Sequence, residues 1–230
     1  SGEKRYVPAP QIYVPYLYRD HVGLSDFVSM AVSTGAACHT SLDRARLGGL
    51  YECIERDAFM IAWMRRLPVA RIEWEHDAHL SAIYGRHYAG CNVVFHLFDL
   101  TLDIPVPTVL CIAEGLGAPG RIAVVGCATR ATLHEACEKA LLEAAQCLSW
   151  AHYLLTQRPD WKPTPDYSNV IEFEDHVRLF LEPEMRQHLD FLMDTPRRVR
   201  LSERDSAQRS DAQLLRSALD AVRGAGLDVL

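Results

Sequence analysis

Apolar residues recur at helical spacing along two long stretches of the chain. Leu47, Leu50, Ile54, Ala58 and Ile61 make one stripe, which predicts a helix running to about Arg66. Thr40 with Asp43 resembles a capping box at its start, and Pro68 follows its end. Leu133, Cys137, Leu141, Ala144 and Leu148 make a second stripe, and Thr132 with Glu135 reads as the cap of another long helix over 132–157. Between them, residues 76–89 suggest a weaker helix. Asn92–Phe98, Val106–Ala113 and Arg121–Gly126 read as strands, with Thr101–Pro105 as one connection and Gly115, Gly117, Pro119 and Gly120 as a turn. Strands in direct succession predict an antiparallel meander.

The flanks are less regular. Residues 1–30 are rich in Tyr, Pro and Val, and look extended around Gln11–Tyr18. Pro8, Pro10 and Pro15 argue against a helix there. Arg158–Tyr167 is broken by prolines and reads as a loop or lid. Glu184–Leu192 and Ala207–Arg223 are charged and helical in pattern, and Gly226–Leu230 looks like the start of a strand. The resulting fold class is α+β: a mostly antiparallel sheet with the two long helices packed on one face and a helical C-terminal segment. One domain is expected over 1–230, with a core over 1–157 and a loop and helical segment over 158–230. It is expected to be incomplete at its start and, given the strand-like end, at its end.

Composition narrows the function classes. With 230 residues, 49% of them hydrophobic, the chain can bury a substantial core. A net charge of −6 gives no electrostatic footprint for nucleic acid. No apolar run reaches the roughly 18 residues that a membrane span needs, so neither nucleic acid nor membrane is expected as a partner. The start, Ser-Gly-Glu-Lys-Arg-Tyr, is not a signal peptide and is not Met, which suggests a cut or processed end. The seven cysteines stand singly, with no Cys-x-x-Cys pair. They read as buried free thiols in a reducing compartment, the cytoplasm.

The candidate chemistry lies on the two long helices. Glu52 and Glu55 are three residues apart, as are Glu143 and Gln146, so each pair shares a helix face turned from the apolar stripe. Magnesium prefers hard oxygen ligands, taking about one or two protein carboxylates plus phosphate oxygens. Two such helices facing each other suit a magnesium-nucleotide site. Spacing alone equally describes ordinary solvated faces, with Arg56 and Lys139 available as surface partners. Other motifs are weaker. His134-Glu135 lacks the second histidine of a zinc-protease helix, Gly115–Gly120 is a turn before it is a phosphate loop, and no Gly-x-Ser-x-Gly elbow occurs.

Three blocks resemble the YcaO family. The first runs from Ser33-Thr-Gly-Ala-Ala through Gly49-Leu-Tyr-Glu52-Cys-Ile-Glu55-Arg-Asp-Ala58, similar to a serine-glycine loop followed by a Glu-x-x-Glu-Arg helix. The second is Val125-Gly126-Cys-Ala-Thr with Lys139-Ala-Leu-Leu-Glu143-Ala-Ala-Gln146. The third, Phe173-Glu-Asp-His176-Val to Leu189-Asp-Phe-Leu192, resembles azole-forming members. The resemblance implies an ATP-dependent cyclodehydratase that activates a backbone amide of a ribosomally made precursor peptide, with ATP and magnesium (Mg2+) as cofactors. It implies magnesium-phosphate binding by Glu52 and Glu55, with Glu143 and Gln146 at the same site and Ser33 and Thr40 in the loop lining the nucleotide pocket. A leader-peptide-binding partner protein is implied as well, and unpaired strand edges leave room for a homodimer.

The chain departs from the family pattern at several points. An earlier glycine-rich block with its own Glu-x-x-Glu-Arg helix is absent, as is the proline-rich C-terminal tail of azole-forming members. His39 stands where a glycine is frequent, Arg44 where a glutamate is frequent, and Leu148 where an arginine is common. Arg44 brings a cation to a place expected to hold a metal ligand, and a cation there can meet phosphate directly. These departures set a second reading beside the enzyme: a non-catalytic scaffold that binds a precursor peptide or a partner subunit.

Overall fold

The computed structural model describes residues 6–12, 32–117, 120–201 and 208–229. Helix α1 spans Leu42–Arg65. Its N-cap is Ser41, whose hydroxyl accepts the Arg44 amide at 3.4 Å. The cap is thus one residue later than the expected Thr40, because Ser41 takes the extended backbone that aims its oxygen at an orphan amide of the first turn. The helix stops where Arg66 turns left-handed, with φ +49°, ahead of Pro68, which cannot continue it.

Among the described residues five strands follow in one sheet: β1 (Ala70–Glu73), β2 (Val94–Asp99), β3 (Thr108–Gly117), β4 (Gly120–Thr129) and β5 (Arg198–Arg200). Their spatial order is β4-β3-β2-β1-β5. Every pairing is antiparallel except the parallel β1–β5 pair. The expected meander is β2–β3–β4. Its strands run beyond the apolar pattern, because the ladder also takes in Glu114 opposite Ala123 and Thr108 opposite Thr129. The sequence pattern missed β1 and β5, which are too short to show a period.

Helix α2 (Ala78–His87) is capped by the Asp77 carboxylate, which accepts the amides of His79 and Leu80 at 3.1 and 2.9 Å. Helix α3 (Leu133–Gln157) starts with the Thr132 hydroxyl accepting the Glu135 amide at 3.2 Å. The strand period of two then separates the packing. Val109, Cys111 and Ala113 pack with Ala136, Ala140, Leu141 and Ala144 of α3. The alternate residues Leu110 and Ile112 pack with Ala58 and Ala62 of α1, and with Leu189 and Leu192. The two glutamate-bearing helices therefore cover opposite faces of the sheet, not one face as expected. They come together only around the edge strand β4.

The C-terminal part adds α4 (Phe173–Phe180), a 3-10 run at Pro183–Leu189, α5 (Asp190–Met193) and α6 (Asp211–Gly224). The helix expected over Glu184–Leu192 is thus a 3-10 run continued by one short helical turn. Trp63 of α1 packs against Phe59, Phe180 and Phe191. Helix α6 lies on the other end of α1, where Ala218 and Val222 meet Leu47, Tyr51 and Ile54. Residues 225–229 carry no strand: the Gly226 and Leu227 amides bond back to the last turn of α6. Near the N-terminus Ala9–Gln11 form a short 3-10 turn that begins with Pro10 in its first positions, and the remainder of the expected extended stretch lies outside the described residues. Cys38, Cys53 and Cys91 are exposed, whereas Cys111 and Cys137 are buried. The expectation of uniformly buried thiols is corrected accordingly, because the first three sit on loops or on the solvent side of α1.

Candidate functional site

The site forms where α1 and α3 meet around β4. As an edge strand among the described residues, β4 has outward amides that no described strand pairs. Glu55 of α1 takes one of them, its carboxylate accepting the Thr129 amide at 3.2 Å. Burial, and then the charge of Glu143, push the Glu55 carboxyl up to about 7, against the opposing Thr129 hydrogen bond and the Arg130 and Arg56 guanidiniums.

Glu52 is held by the loop that precedes α1. The Gly35 amide donates to one carboxylate oxygen at 3.0 Å and Arg56 Nε to the other at 3.1 Å. This contact explains two glycines of the motif. Gly35 has φ +82°, and a Cβ on Gly49 would lie 2.4 Å from the Gly35 carbonyl oxygen, so only glycine lets the loop reach the helix.

Glu143 arrives from α3, with Lys139 Nζ 3.0 Å from its carboxylate. It lines one cleft with Glu52 and Glu55. Arg44, Arg56 and Arg130 complete the charged wall, and Leu47, Gly48 and Tyr51 form the rest. The cleft has a volume of about 440 Å³, within the ordinary range for small-molecule sites. Burial is the first cause that raises the Tyr51 hydroxyl above its usual value.

Of the residues singled out from sequence, Glu52, Glu55 and Glu143 come together. Gln146 is exposed one turn further along α3. Ser33 and Thr40 are exposed in the loop before α1, and none of these three lines the cleft. Tyr51 and Arg130 were missed. Tyr51 reads as one more apolar position of α1, and Arg130 simply follows a strand; no sequence signal marks either.

Among the described residues no group of three or more His, Cys, Asp or Glu is arranged to hold a metal by itself. The oxygen-only donors nevertheless fit magnesium, which completes its shell with water and phosphate oxygens. A carboxyl that burial and a neighbouring carboxylate push towards neutrality, as at Glu55, is one whose charged form a divalent cation would favour.

An α+β architecture of this kind is that of solved heterocyclases. One, described as a heterocyclase in complex with substrate and cofactor, superposes with a TM-score of 0.69 at 19% identity, over 91% of this chain and 27% of that one. The heterocyclase TruD gives a TM-score of 0.62 at 20% identity, over 96% of this chain and 29% of that one. YcaO from Methanopyrus kandleri, bound with AMPPCP and Mg2+, gives 0.66 at 21% identity, over 96% of this chain and 53% of that one. The chain thus spans between about a quarter and about half of the length of these structures. It belongs to the YcaO family: the family profile, described as YcaO cyclodehydratase, ATP- and Mg2+-binding, matches residues 1–230. No curated protein matches it. No helix among the described residues is long and apolar enough to cross a membrane.

Proposed function

We propose that this chain forms the nucleotide-handling part of an ATP-dependent cyclodehydratase. The observation that carries this reading is the convergence of Glu52, Glu55 and Glu143 from two helices in one cleft, faced by Arg44, Arg56 and Arg130. Such a set of oxygen donors and guanidiniums suits a triphosphate with its counter-ion. Glu52 and Glu55 are the proposed magnesium ligands, with Glu143 beside them; the ion would supply charge neutralisation on the phosphates.

The proposed reaction begins with a Cys, Ser or Thr side chain of a precursor peptide attacking the preceding backbone carbonyl. The oxyanion so formed takes the γ-phosphoryl of ATP, leaving ADP. The attack itself closes the five-membered ring and releases the thiol or hydroxyl proton to solvent; loss of phosphate and of the amide proton then forms the C=N bond of a thiazoline or oxazoline. The residues of the cleft would orient the phosphates and balance their charge, which is the main demand of phosphoryl transfer. Ser33, Thr40 and Gln146 stay in the proposal as nucleotide contacts, although none of them lines the cleft. The peptide substrate is supported by the substrate-bound heterocyclase. Work on a ribosomally made, bacteriocin-like peptide, a leader-binding partner protein, a homodimer and a cytoplasmic location complete the reading. The match over all of residues 1–230 favours it over a non-catalytic scaffold.

Calorimetric titration of the protein with Mg2+ and a non-hydrolysable ATP analogue tests the site, with Glu52→Gln and Glu55→Gln as controls. Binding should be lost or weakened at least about tenfold in each, the scale of losing a charged ligand contact. Unchanged ATP hydrolysis in the double variant would show that the site is wrongly assigned.

A further inference from the structure

Arg44 occupies an unusual place. It lies in the first turn of α1, two residues after the first helical residue Leu42, where the helix dipole disfavours a cation. Half of its side chain is exposed, and Asp211, the first residue of α6, holds it with an NH1–Oδ1 distance of 3.1 Å. Among the described residues Asp211 is the only hydrogen-bond partner of its guanidinium. A guanidinium has about five N–H donors in a planar fork, so most of them remain available.

The surroundings show where those donors can act. Arg44 lines the cleft that holds Glu52, Glu55 and Glu143. It also lines a second depression of about 290 Å³ bounded by Glu135, Glu138, Lys139 and Leu214. Among the described residues only Arg44, Tyr51 and Arg130 are common to the two. They therefore mark the boundary between the carboxylate cleft and the neighbouring depression. Each of the other two cleft arginines also makes one such bond, but to the site's own wall: Arg56 to Glu52 at 3.1 Å, and Arg130 to the Thr129 carbonyl at 2.6 Å, whereas Arg44 is held from α6.

We propose that Arg44 is a direct ligand of the terminal phosphate of the bound nucleotide, and that Asp211 is the positioning residue that aims it from α6. The inference rests on the nucleotide reading of the cleft and deepens it. A guanidinium binds phosphate oxygens in bidentate fashion, and an anion beside the first turn of α1 offsets the unfavourable placement of the cation. Helix α6 thereby becomes part of the site although none of its residues lines the carboxylate cleft.

The test is calorimetric affinity for a non-hydrolysable ATP analogue and for ADP, at saturating Mg2+, in the wild-type protein and in Arg44→Ala, Arg44→Lys, Asp211→Asn and Glu52→Gln. The position is exposed, and thermal unfolding confirms that each variant is folded. Arg44→Ala should weaken the triphosphate analogue by about tenfold or more while changing ADP far less. Arg44→Lys should recover part of the loss. Asp211→Asn should lower the triphosphate-to-diphosphate preference in the same direction but by a smaller factor, a change in selectivity that a merely structural role would not produce. If Arg44→Ala binds the analogue as the wild type does while Glu52→Gln loses it, the role of Arg44 is overturned and the nucleotide site stands. Equal losses for triphosphate and diphosphate also overturn the terminal-phosphate assignment. If the wild-type protein binds no nucleotide, the reading of the cleft and this inference fall together.

Discussion

Gly126 on β4 lies directly against the backbone of α3 at Ala144: a Cβ at Gly126 would sit 2.3 Å from the Ala144 amide nitrogen, 2.4 Å from the Ala140 carbonyl oxygen and 2.9 Å from the Glu143 carbonyl carbon. Neither partner can yield, since both are backbone inside regular elements. The glycine of the second sequence block is therefore a spacer that lets α3 approach β4 closely enough to bring Glu143 into the cleft.

Gly126→Ala should push α3 away from the sheet. The expected cost is about 1–3 kcal/mol, as for other overpacked cores, read as a lower urea midpoint. Nucleotide affinity should fall in the same variant, because Glu143 moves with its helix. Wild-type stability with an added methyl group would show that the helix tolerates displacement.

Glu55 makes stability depend on pH in a defined direction. Its carboxyl is raised from the ordinary 4.5 to about 7 in the folded protein. The folded state thus keeps a proton that the unfolded chain releases. The contribution of this group is fully present below the unfolded value of 4.5 and is lost as pH rises through about 7. Glu55→Gln removes the titration. It should gain on the wild type as pH is raised across that window, and thermal unfolding at pH 5 and pH 8 would detect the shift. Parallel curves for the two proteins would count against a Glu55 carboxyl raised by its burial and by Glu143.

A polar chain centred on the buried His96 and Glu114 crosses the sheet face on the side of α1. Arg71 donates to His96 Nδ1 at 2.7 Å; because arginine only donates, that nitrogen accepts and His96 Nε2–H donates to Glu114 at 2.9 Å. Arg186 Nε reaches the other Glu114 oxygen at 2.7 Å and its NH1 reaches Asp190 at 3.0 Å. The His96 hydrogen bond first, then Arg186, hold the Glu114 carboxyl down to about 2 against its burial. This chain ties the 3-10 run of residues 183–189 to the sheet. Glu114→Gln should cost about 3 kcal/mol at neutral pH, the low end for losing one partner of a buried pair, because Arg186 stays partly in water. The stabilisation is present above the unfolded value of 4.5 and is lost as pH falls through about 2. The gap between variant and wild type in urea unfolding should therefore narrow from pH 5 to pH 3. A gap that stays constant would mean that the ionised form is not the stabilising one.

The local features could be read from sequence because they depend on local periodicity. The stripes at Leu47–Ile61 and Leu133–Leu148, the Thr132 cap and the β2–β3–β4 meander rest on side-chain spacing and short-range hydrogen bonds. So does the pairing of Glu52 with Glu55 on one face of α1. Strands β1 and β5 were not legible, since three or four residues cannot establish a period and only pairing with β2 and with each other makes them strands. Helix α1 begins one residue later than its composition suggested, because two adjacent hydroxyls compete for the cap and backbone geometry selects Ser41.

The sequence by itself determined the α+β class, the two glutamate-bearing helices and their family. What only the tertiary structure decided is how those helices meet. They cover opposite faces of the sheet and join around β4 because alternate β3 residues bury against different helices, and because Gly126 and the Gly35–Gly49 contact permit backbone approaches that side chains would block. It also decided that Glu143 lines the cleft while Gln146 does not, and that Arg44, Tyr51 and Arg130 do. Such proximity between residues far apart in the chain is set by long-range packing, which local periodicity does not encode.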